Sequence, residues 1–174
     1  MKVQELMTRD VATVQPHEGL DRAARSMHER DRGFVVVVDE CSRVEGVLTD
    51  RDICMAALWS DRPLSSLRVA RAMSSAVHSC RPDDSIAEAE RRMGQHQVRR
   101  LPVVDREGCL QGVLSLDDVA REAVREQDLI APPVSAAEAG KTLGQVSRPH
   151  LIEDAGDTRS SRTGCATSWP VSAR

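Results

Sequence analysis

Two short stretches of the chain combine a hydroxyl and a carboxylate at a spacing suited to binding sugar and phosphate. Thr49 stands three residues before Asp52, and Ser115 stands three residues before Asp118. Both pairs fall where an apolar strand pattern changes to an amphipathic helix pattern. A carboxylate in the first turn of a helix can accept hydrogen bonds from both vicinal hydroxyls of a ribose, while the hydroxyl side chain and free helix amides suit phosphate oxygens. The spacing is therefore compatible with a nucleotide site.

A capping box explains the same residues without any ligand. The hydroxyl then accepts a hydrogen bond from an amide of the first turn, and the carboxylate reaches back to the amide at the helix start. Each such cap contributes about 1 kcal/mol. Gly46 and Gly112 precede the two hydroxyl residues by three positions, which fits close packing or a β-bulge. The sequence leaves the binding and capping interpretations open.

The two stretches belong to an internal duplication with a period of 66 residues. Residues 3–53 align with residues 69–119 without a gap, and 14 of the 51 pairs are identical. A gapless match of this length indicates two copies of one structural unit. Since a unit of this size is too small to bury its apolar face alone, the two copies are expected to pack against each other.

Each copy has the hydrophobic pattern of a β-α-β-β-α unit, which predicts the α/β (α+β) fold class. Runs of β-branched residues predict the strands, and apolar residues at helical spacing predict the helices. In the first copy the predicted elements are a strand at 11–14, a helix at 20–27, strands at 34–38 and 44–48, and a helix at 49–58. In the second copy they are a strand at 77–80, a helix at 85–95, strands at 100–104 and 110–114, and a helix at 115–126.

The segments outside the repeats predict the domain boundaries. Residues 59–68 contain Pro and several Ser residues and predict a linker, so that the first repeat spans 1–58 and the second 69–130. Residues 131–174 carry no sustained periodicity and are rich in Gly, Pro, Ser and Thr. We predict that this tail is largely disordered, with a weak helix near 136–143.

The composition argues against several classes of partner. The 24 basic and 27 acidic residues give no bulk electrostatic attraction for nucleic acid or for an acidic membrane surface. Three aromatic residues provide no stacking platform for bases. No run has transmembrane length and the N-terminus lacks a signal pattern, so we predict a cytoplasmic protein. The five cysteines are scattered, which favours reduced thiols and no metal site.

The repeated pattern resembles a known family. The β-α-β-β-α order, the run Leu101-Pro102-Val103-Val104-Asp105, and the Gly-x-x-[Ser/Thr]-x-x-Asp ending of each unit are similar to the CBS domain. The resemblance covers residues 3–126, and a tandem pair resembles the Bateman module of small bacterial stand-alone CBS-pair proteins. It implies two repeats packed about a pseudo-two-fold axis, each a small sheet covered by two helices. It also implies clefts between the repeats that bind adenosine-containing ligands.

Carried over residue by residue, the resemblance implies a set of ligand contacts. Asp52 and Asp118 would bind ribose hydroxyls, and Thr49 and Ser115 would bind ribose or phosphate. Basic residues just before the Leu-Pro-Val-Val strand, Arg99 and Arg100, would meet phosphate, and residues of the first strands, Val11, Thr13 and Val77, would line the adenine. Leu101, on a strand whose apolar residues could cover a base, and Pro102 complete the predicted ligand-binding set.

One further residue has two explanations. Arg51 lies in the first turn of its predicted helix, where the helix dipole disfavours a cation. It either pairs with Asp50 or Asp52 and solvent, or helps to hold a phosphate. The first repeat has Gly33-Phe34 where the second has Arg99-Arg100, so the two clefts are not expected to be occupied equally.

These observations predict a non-enzymatic regulatory or sensor module that binds AMP, ADP, ATP or S-adenosylmethionine as a regulatory ligand. No other cofactor and no metal is required. The alternative is a structural or dimerisation module whose ligand sites are vestigial. No nucleophile-base pair, phosphate-binding loop or metal-spaced cluster indicates catalysis. We further expect a homodimer and an effector protein that responds to the ligand, with neither nucleic acid nor membrane as the main partner.

Overall fold

The computed structural model describes residues 1–125 and 134–147. The helices and strands follow one another in the order α1 (Val3–Leu6), β1 (Thr13–Val14), α2 (Leu20–Glu29), β2 (Phe34–Val38), β3 (Val44–Thr49), α3 (Asp50–Trp59), α4 (Ile86–His96), β4 (Arg100–Val104), β5 (Leu110–Ser115), α5 (Leu116–Arg125) and α6 (Ala136–Val146). Short 3-10 turns at Leu64–Ser66 and Val69–Arg71 connect the two repeats. None of the helices in these described ranges is long and apolar enough to cross a membrane.

The sheets confirm the predicted fold class, with one difference between the repeats. In the first repeat β1 pairs parallel to β2, and β2 pairs antiparallel to β3. In the second repeat β4 pairs antiparallel to β5, and the strand predicted at 77–80 contributes only a single bridge from Cys80 to Val103. Val36 donates its amide to Ala12 in the first repeat, at 3.0 Å. The residue at the equivalent position in the second repeat is Pro102, which has no amide hydrogen to donate. The proline therefore shortens the parallel pairing.

The segment that leads into each repeat packs on the other repeat. Thr8 and Val113 exchange backbone hydrogen bonds of 2.9 Å, and Ser74 and Val47 exchange bonds of 2.9 and 3.0 Å. These two pairs are related by the 66-residue period, so the contact obeys the same pseudo-two-fold symmetry as the sequence. The cores follow the same exchange: Val3 and Met7 belong to the core of the second repeat, and Val69 and Met73 to that of the first. Neither repeat has a complete core without the other.

The repeats also meet along their sheets. A third apolar cluster joins Val36 and Val38 of the first repeat to Val113 of the second. At one end of this interface the two hairpin turns pair with each other, since Val44 donates to Gly108 at 3.1 Å and Leu110 donates to Ser42 at 2.9 Å. The pseudo-two-fold axis passes through this pairing, because each bond is the repeat equivalent of the other.

The two glycines of the repeated motif are required by close packing. A Cβ on Gly112 would lie 2.8 Å from the Thr8 carbonyl oxygen and 2.9 Å from the Met7 sulfur. A Cβ on Gly46 would lie 3.0 Å from the Ser74 carbonyl oxygen. Because the colliding atoms include backbone, the neighbours cannot simply rotate away. Both glycines therefore serve the exchanged pairing between the repeats.

Residues 134–147 contain the helix that the sequence predicted near 136–143. Helix α6 begins at the N-cap Ser135 and packs against α4 and α5. Its buried face consists of Ala139, Thr142 and Val146, at helical spacing but with a polar residue in the middle. That short and weakly apolar stripe explains why the periodicity indicated only a weak helix. The rest of the predicted tail, 131–133 and 148–174, lies outside the described residues.

The packing of α6 buries a carboxyl group. Glu90 of α4 is only 4% exposed, and its Oε1 has no hydrogen-bond partner within the described part of the chain. Burial, together with the nearby Glu138 carboxylate, raises the pKa of Glu90 to about 6, against a smaller opposing effect of a hydrogen bond with Thr142. The ionised form of Glu90 therefore opposes the docking of α6.

We expect Gly112→Ala to destabilise the fold by about 1–3 kcal/mol, because the added methyl group collides with the Thr8 carbonyl. Urea unfolding of the variant and of wild type measures the difference. Gly140→Ala is the matched control, since a Cβ there meets nothing within 4 Å and alanine favours the helix. Equal stability of Gly112→Ala and wild type would contradict the packing role of the glycine.

We expect Glu90→Gln to stabilise the protein by about 1–2 kcal/mol above pH 7, since a pKa raised from 4.5 to about 6 means that ionisation weakens the native state. The contribution of Glu90 to native-state stability should be fully present below pH 4.5 and should be lost as the pH rises through about 6. The free energy of unfolding, measured from pH 4 to pH 8, should not show that loss in the Glu90→Gln variant. Glu40→Gln, in an exposed turn, serves as the control. A parallel pH profile in wild type and Glu90→Gln would refute the assignment.

Candidate functional site

Both hydroxyl-carboxylate pairs form complete caps. In the first repeat the Thr49 amide and hydroxyl donate to Asp52 Oδ2, at 2.9 and 2.7 Å, and the Asp52 amide donates back to Thr49 Oγ1 at 3.3 Å. In the second repeat the Ser115 amide and hydroxyl donate to Asp118 Oδ2, at 3.0 and 2.6 Å, and the Asp118 amide donates to Ser115 Oγ at 3.1 Å. The capping interpretation of the sequence is therefore satisfied in both copies, and it commits one oxygen of each carboxylate.

The second carboxylate oxygen distinguishes the two copies. Oδ1 of Asp118 accepts a hydrogen bond from Arg121, whereas the residue equivalent to Arg121 in the first repeat is Met55. The Arg121 side chain is 73% exposed while that of Asp118 is 10% exposed, so the carboxylate is buried beneath a guanidinium that faces solvent. Within the described residues, Asp52 Oδ1 makes no such ion pair.

A cleft between the two repeats contains the second of these pairs. It has a volume of about 340 Å³ and brings Ser115 and Asp118 of the second repeat beside Val11 and Ala12 of the first. That volume lies at the lower end of the range for small-molecule sites. The two sides meet because the segment after α1 pairs with the second repeat at Thr8, which also lines the cleft, and then joins the first repeat through β1. The polar pair and the apolar wall thus come from different repeats.

Four arginines surround this cleft. Arg30 pairs with Asp10 at 2.6 Å, and Arg100 approaches Asp117 at 3.9 Å and lies 5.7 Å above the ring of Phe34. The other two are Arg121, described above, and Arg32, which has no ion-pair partner among the residues that the structure describes. The 3.9 Å contact is long for an ion pair and the Arg100 side chain is 37% exposed, so its interaction with Asp117 is weak. Arg32 and Arg100 are therefore the cations least committed to protein carboxylates.

The structure separates the predicted arginine pair. Because successive strand residues face opposite ways, Arg100 enters the cleft while its neighbour Arg99 does not line it. Arg99 is exposed, and its guanidinium is 3.4 Å from the Ser147 hydroxyl at the end of α6. The two arginines cannot act together on one phosphate in this arrangement.

The other sequence-predicted residues occupy varied positions. Thr13 is exposed on β1, Leu101 is fully buried in the core of the second repeat, and Pro102 is buried opposite Val113; none of the three lines the described cleft. Arg51 is exposed and forms no ion pair within the described part of the chain, and its amide donates to Asp50 Oδ1 at 2.7 Å.

The equivalent region of the other repeat is built differently. Val77, the counterpart of Val11, is half-buried, but the counterparts of Ala12 and Arg30 are His78 and His96. The two imidazole rings stack with centroids 3.7 Å apart and an interplanar angle of 12°. Burial, and then repulsion from His96, lowers the pKa of His78. A small side chain and a cation in the first arrangement are therefore replaced by two stacked rings.

Sequence reasoning missed Arg30, Arg32 and Arg121. The available signal for Arg30 and Arg32 was their position just before Gly33, the residue that is equivalent to Arg99. Arg121 lies three residues after Asp118, which is the spacing of a helical ion pair. Within the described residues, no three His, Cys, Asp or Glu side chains group as metal ligands.

The two exchanged repeats and the cleft between them define a tandem CBS-domain pair. The CBS domain family model matches residues 3–58 and 69–125, so the chain belongs to the CBS domain family. This confirms the resemblance predicted from the duplication.

Particular relatives are similar over the same region. The chain is 37% identical over 118 residues to the CBS domain-containing protein YhcV of Bacillus subtilis, covering 68% of this chain and 82% of YhcV. A crystal structure of Hypoxic Response Protein I with two coordinated zinc ions is 31% identical, with a TM-score of 0.63 over 70% of this chain and 98% of that one. A crystal structure of CBSX2 in complex with AMP is 26% identical, with a TM-score of 0.63 over 72% of this chain and 98% of that one.

Proposed function

We propose that this protein is a non-enzymatic regulatory module that binds an adenosine-containing ligand, with AMP as the best-fitting candidate. The observation that carries the proposal is the cleft itself, in which a capped carboxylate, an apolar wall and uncommitted arginines converge from two repeats. The family and the AMP complex of CBSX2 support the same ligand class. S-adenosylmethionine, ADP and ATP remain in the class, because they carry the same adenosine group.

The ribose is assigned to Asp118 and Ser115. Asp118 Oδ2 already accepts two hydrogen bonds from Ser115, so the ribose hydroxyls would donate to the two lone pairs of Oδ1. Arg121 now holds Oδ1, but its largely exposed side chain can rotate toward solvent or toward a phosphate at little cost. The buried carboxylate then accepts the two ribose hydroxyls in place of the guanidinium.

The phosphate is assigned to Arg100 and Arg32 rather than to Arg99 and Arg100 together. Arg100 has only the long contact to Asp117, and Arg32 has no ion-pair partner in the described part of the chain. Charge-assisted hydrogen bonds to phosphate are worth about 1.5–3 kcal/mol each, which exceeds what the long contact with Asp117 contributes. Val11 and Ala12 provide the apolar wall for the base.

The two clefts should differ in ligand preference. The Thr49-Asp52 side has Arg51 in place of Asp117 and Met55 in place of Arg121. The stacked His78 and His96 occupy the positions that are equivalent to Ala12 and Arg30 of the other cleft. We therefore propose that adenosine ligands bind first beside Asp118. Ligand binding would shift how the two repeats pack, and an effector protein would respond to that change.

The second candidate function is a structural or dimerisation module with vestigial sites. One observation favours it: both caps are complete without a ligand, so stability alone explains Thr49, Asp52, Ser115 and Asp118. Capping does not explain Arg32 and Arg100, which stabilise neither helix start. The arginines therefore separate the two hypotheses.

We expect Arg100→Ala to weaken AMP binding by about tenfold or more while leaving adenosine binding nearly unchanged, because only AMP has a phosphate for the guanidinium to contact. Calorimetric titration of wild type and variant with both ligands measures this. Arg99→Ala is the matched control, since it removes the same charge one residue away and outside the cleft. Arg99→Ala should keep the wild-type preference for AMP over adenosine. If Arg100→Ala keeps that preference as well, the phosphate assignment is wrong. If wild type binds no adenosine ligand, the structural module is favoured.

We further propose that the protein is a homodimer, and we expect Leu58→Glu with Val124→Glu to convert it to a monomer. Leu58 and Val124 are 72% and 61% exposed and occupy equivalent positions near the ends of α3 and α5. An apolar surface with its own pseudo-two-fold symmetry suits an isologous contact with a second copy. Sedimentation velocity at micromolar concentrations measures the mass. Leu143→Glu, on exposed α6 surface, is the control. A wild-type monomer near 19.1 kDa would refute the dimer.

A further inference from the structure

We propose that Cys41 and Cys109 form a redox pair, which a peroxide converts into a disulfide that links the two repeats across the pseudo-two-fold axis. Cys41 lies in the turn between β2 and β3, and Cys109 immediately precedes β5. The two are 68 residues apart in the chain and belong to different repeats. Only the pairing of the two hairpin turns brings them together.

Backbone pairing holds the two cysteines in place. Cys109 forms a bridge with Arg43, flanked by the hydrogen bonds from Val44 to Gly108 and from Leu110 to Ser42. Aspartates fix each turn from within: Asp39 Oδ1 accepts from the Cys41 amide at 2.8 Å, and Asp105 Oδ1 accepts from the Cys109 amide at 2.8 Å. The approach of the cysteines is thus determined by the interface between the repeats.

The sulfur atom of Cys109 already contacts Cys41. Cys109 Sγ is 3.5 Å from the Cys41 carbonyl oxygen. Because a carbonyl oxygen lies about 2.4 Å from its own Cα, the sulfur is within about 6 Å of the Cys41 Cα. A disulfide needs Cα atoms about 4.4–6.8 Å apart, so its formation requires rotation of both side chains and movement of the Cys41 turn toward Cys109.

The exposure of Cys41 makes this pair accessible to peroxide, whereas Cys80 is buried. Cys41 is exposed and Cys109 is half-buried, so peroxide can reach the first and the second is shielded beside it. Cys80 is buried in the second core, and burial raises its pKa to about 12, which suppresses the reactive thiolate. Cys54 is exposed on α3 and serves as an internal control for surface oxidation.

The reaction proceeds in two balanced steps. The Cys41 thiol attacks hydrogen peroxide; the O–O bond breaks, an S–O bond forms, and the products are a sulfenic acid and water. The Cys109 thiol then attacks the Cys41 sulfur; the S–S bond forms, the S–O bond breaks, and a second water leaves. Two thiols are oxidised and one peroxide is reduced to two waters. A dithiol reductant reverses the link by exchange.

The test uses the full chain with Cys165→Ser, because Cys165 lies outside the described residues. Reduced protein is treated with stoichiometric hydrogen peroxide, digested with trypsin without reduction and examined by mass spectrometry. In the Cys165→Ser protein we expect a disulfide-linked species of peptide 33–43 and peptide 107–121. The same species should form when Cys54→Ser is added. It should be absent when Cys41→Ser or Cys109→Ser is added. Oxidation should raise Tm by about 5 °C or more, reversibly with dithiothreitol and only where both cysteines are present.

Mixing protein labelled with ¹⁵N and unlabelled protein before oxidation identifies the source of any link. Linked peptides of uniform label support the proposal, because both cysteines then come from one chain. Mixed-label peptides would overturn it in favour of a disulfide between molecules. Oxidation of Cys41 to sulfinic acid without a link to Cys109 would also overturn the proposal. So would a result in which peroxide oxidises neither cysteine although the Cys41 and Cys109 thiols both react with an alkylating reagent.

Discussion

The structure depends on the exchange of the lead-in segments between the repeats. Thr8 pairs with Val113 and Ser74 with Val47, and each pairing places a backbone carbonyl against the glycine that begins the repeated motif. A Cβ at either glycine would meet both a methionine sulfur and that backbone carbonyl, and the carbonyl cannot rotate away as a side chain can. The exchange completes both cores and gives the chain its pseudo-two-fold symmetry. One constraint, the space at Gly46 and Gly112, therefore holds the two halves together.

The same exchange creates the cleft. The chain leaves α1, pairs with the second repeat at Thr8, and returns to the first repeat through β1. This path carries Val11 and Ala12 past Ser115 and Asp118, which are held by their own cap at the start of α5. By the proposal above, folding and ligand binding would therefore use the same residues. The capped carboxylate stabilises its helix and, by the proposal above, presents its remaining acceptors to a ribose.

Pseudo-symmetry is broken where charge and packing differ between the copies. Pro102 replaces the donor Val36, which removes a backbone hydrogen bond and most of one strand. Arg121 replaces Met55 beside the carboxylate, and the stacked His78 and His96 replace Ala12 and Arg30. Helix α6 packs on α4 and α5 of the second repeat and buries Glu90 there. Duplication thus supplied two equal frameworks, and a few substitutions made the two sides chemically unequal.

The sequence by itself determined the duplication, the order of elements and the capped carboxylates, because each depends on residues near one another in the chain. Hydrophobic period, glycine position and the three-residue spacing of Thr49 and Asp52 are all local signals. It also predicted the family, which the family model confirms. The helix predicted near 136–143 is present as Ala136–Val146, where its short buried stripe packs against α4 and α5.

Only the tertiary structure decided which residues share a cleft and which cysteines meet. Arg99 and Arg100 are adjacent in the chain, yet strand alternation sends one toward α6 and the other toward Asp117. Arg32 and Arg100 come from different repeats and line one cleft, and Cys41 joins Cys109 because their turns pair at the axis. Such contacts depend on how two units pack, which local patterns do not encode. The packing of the repeats is therefore what turns a duplicated motif into two different surfaces.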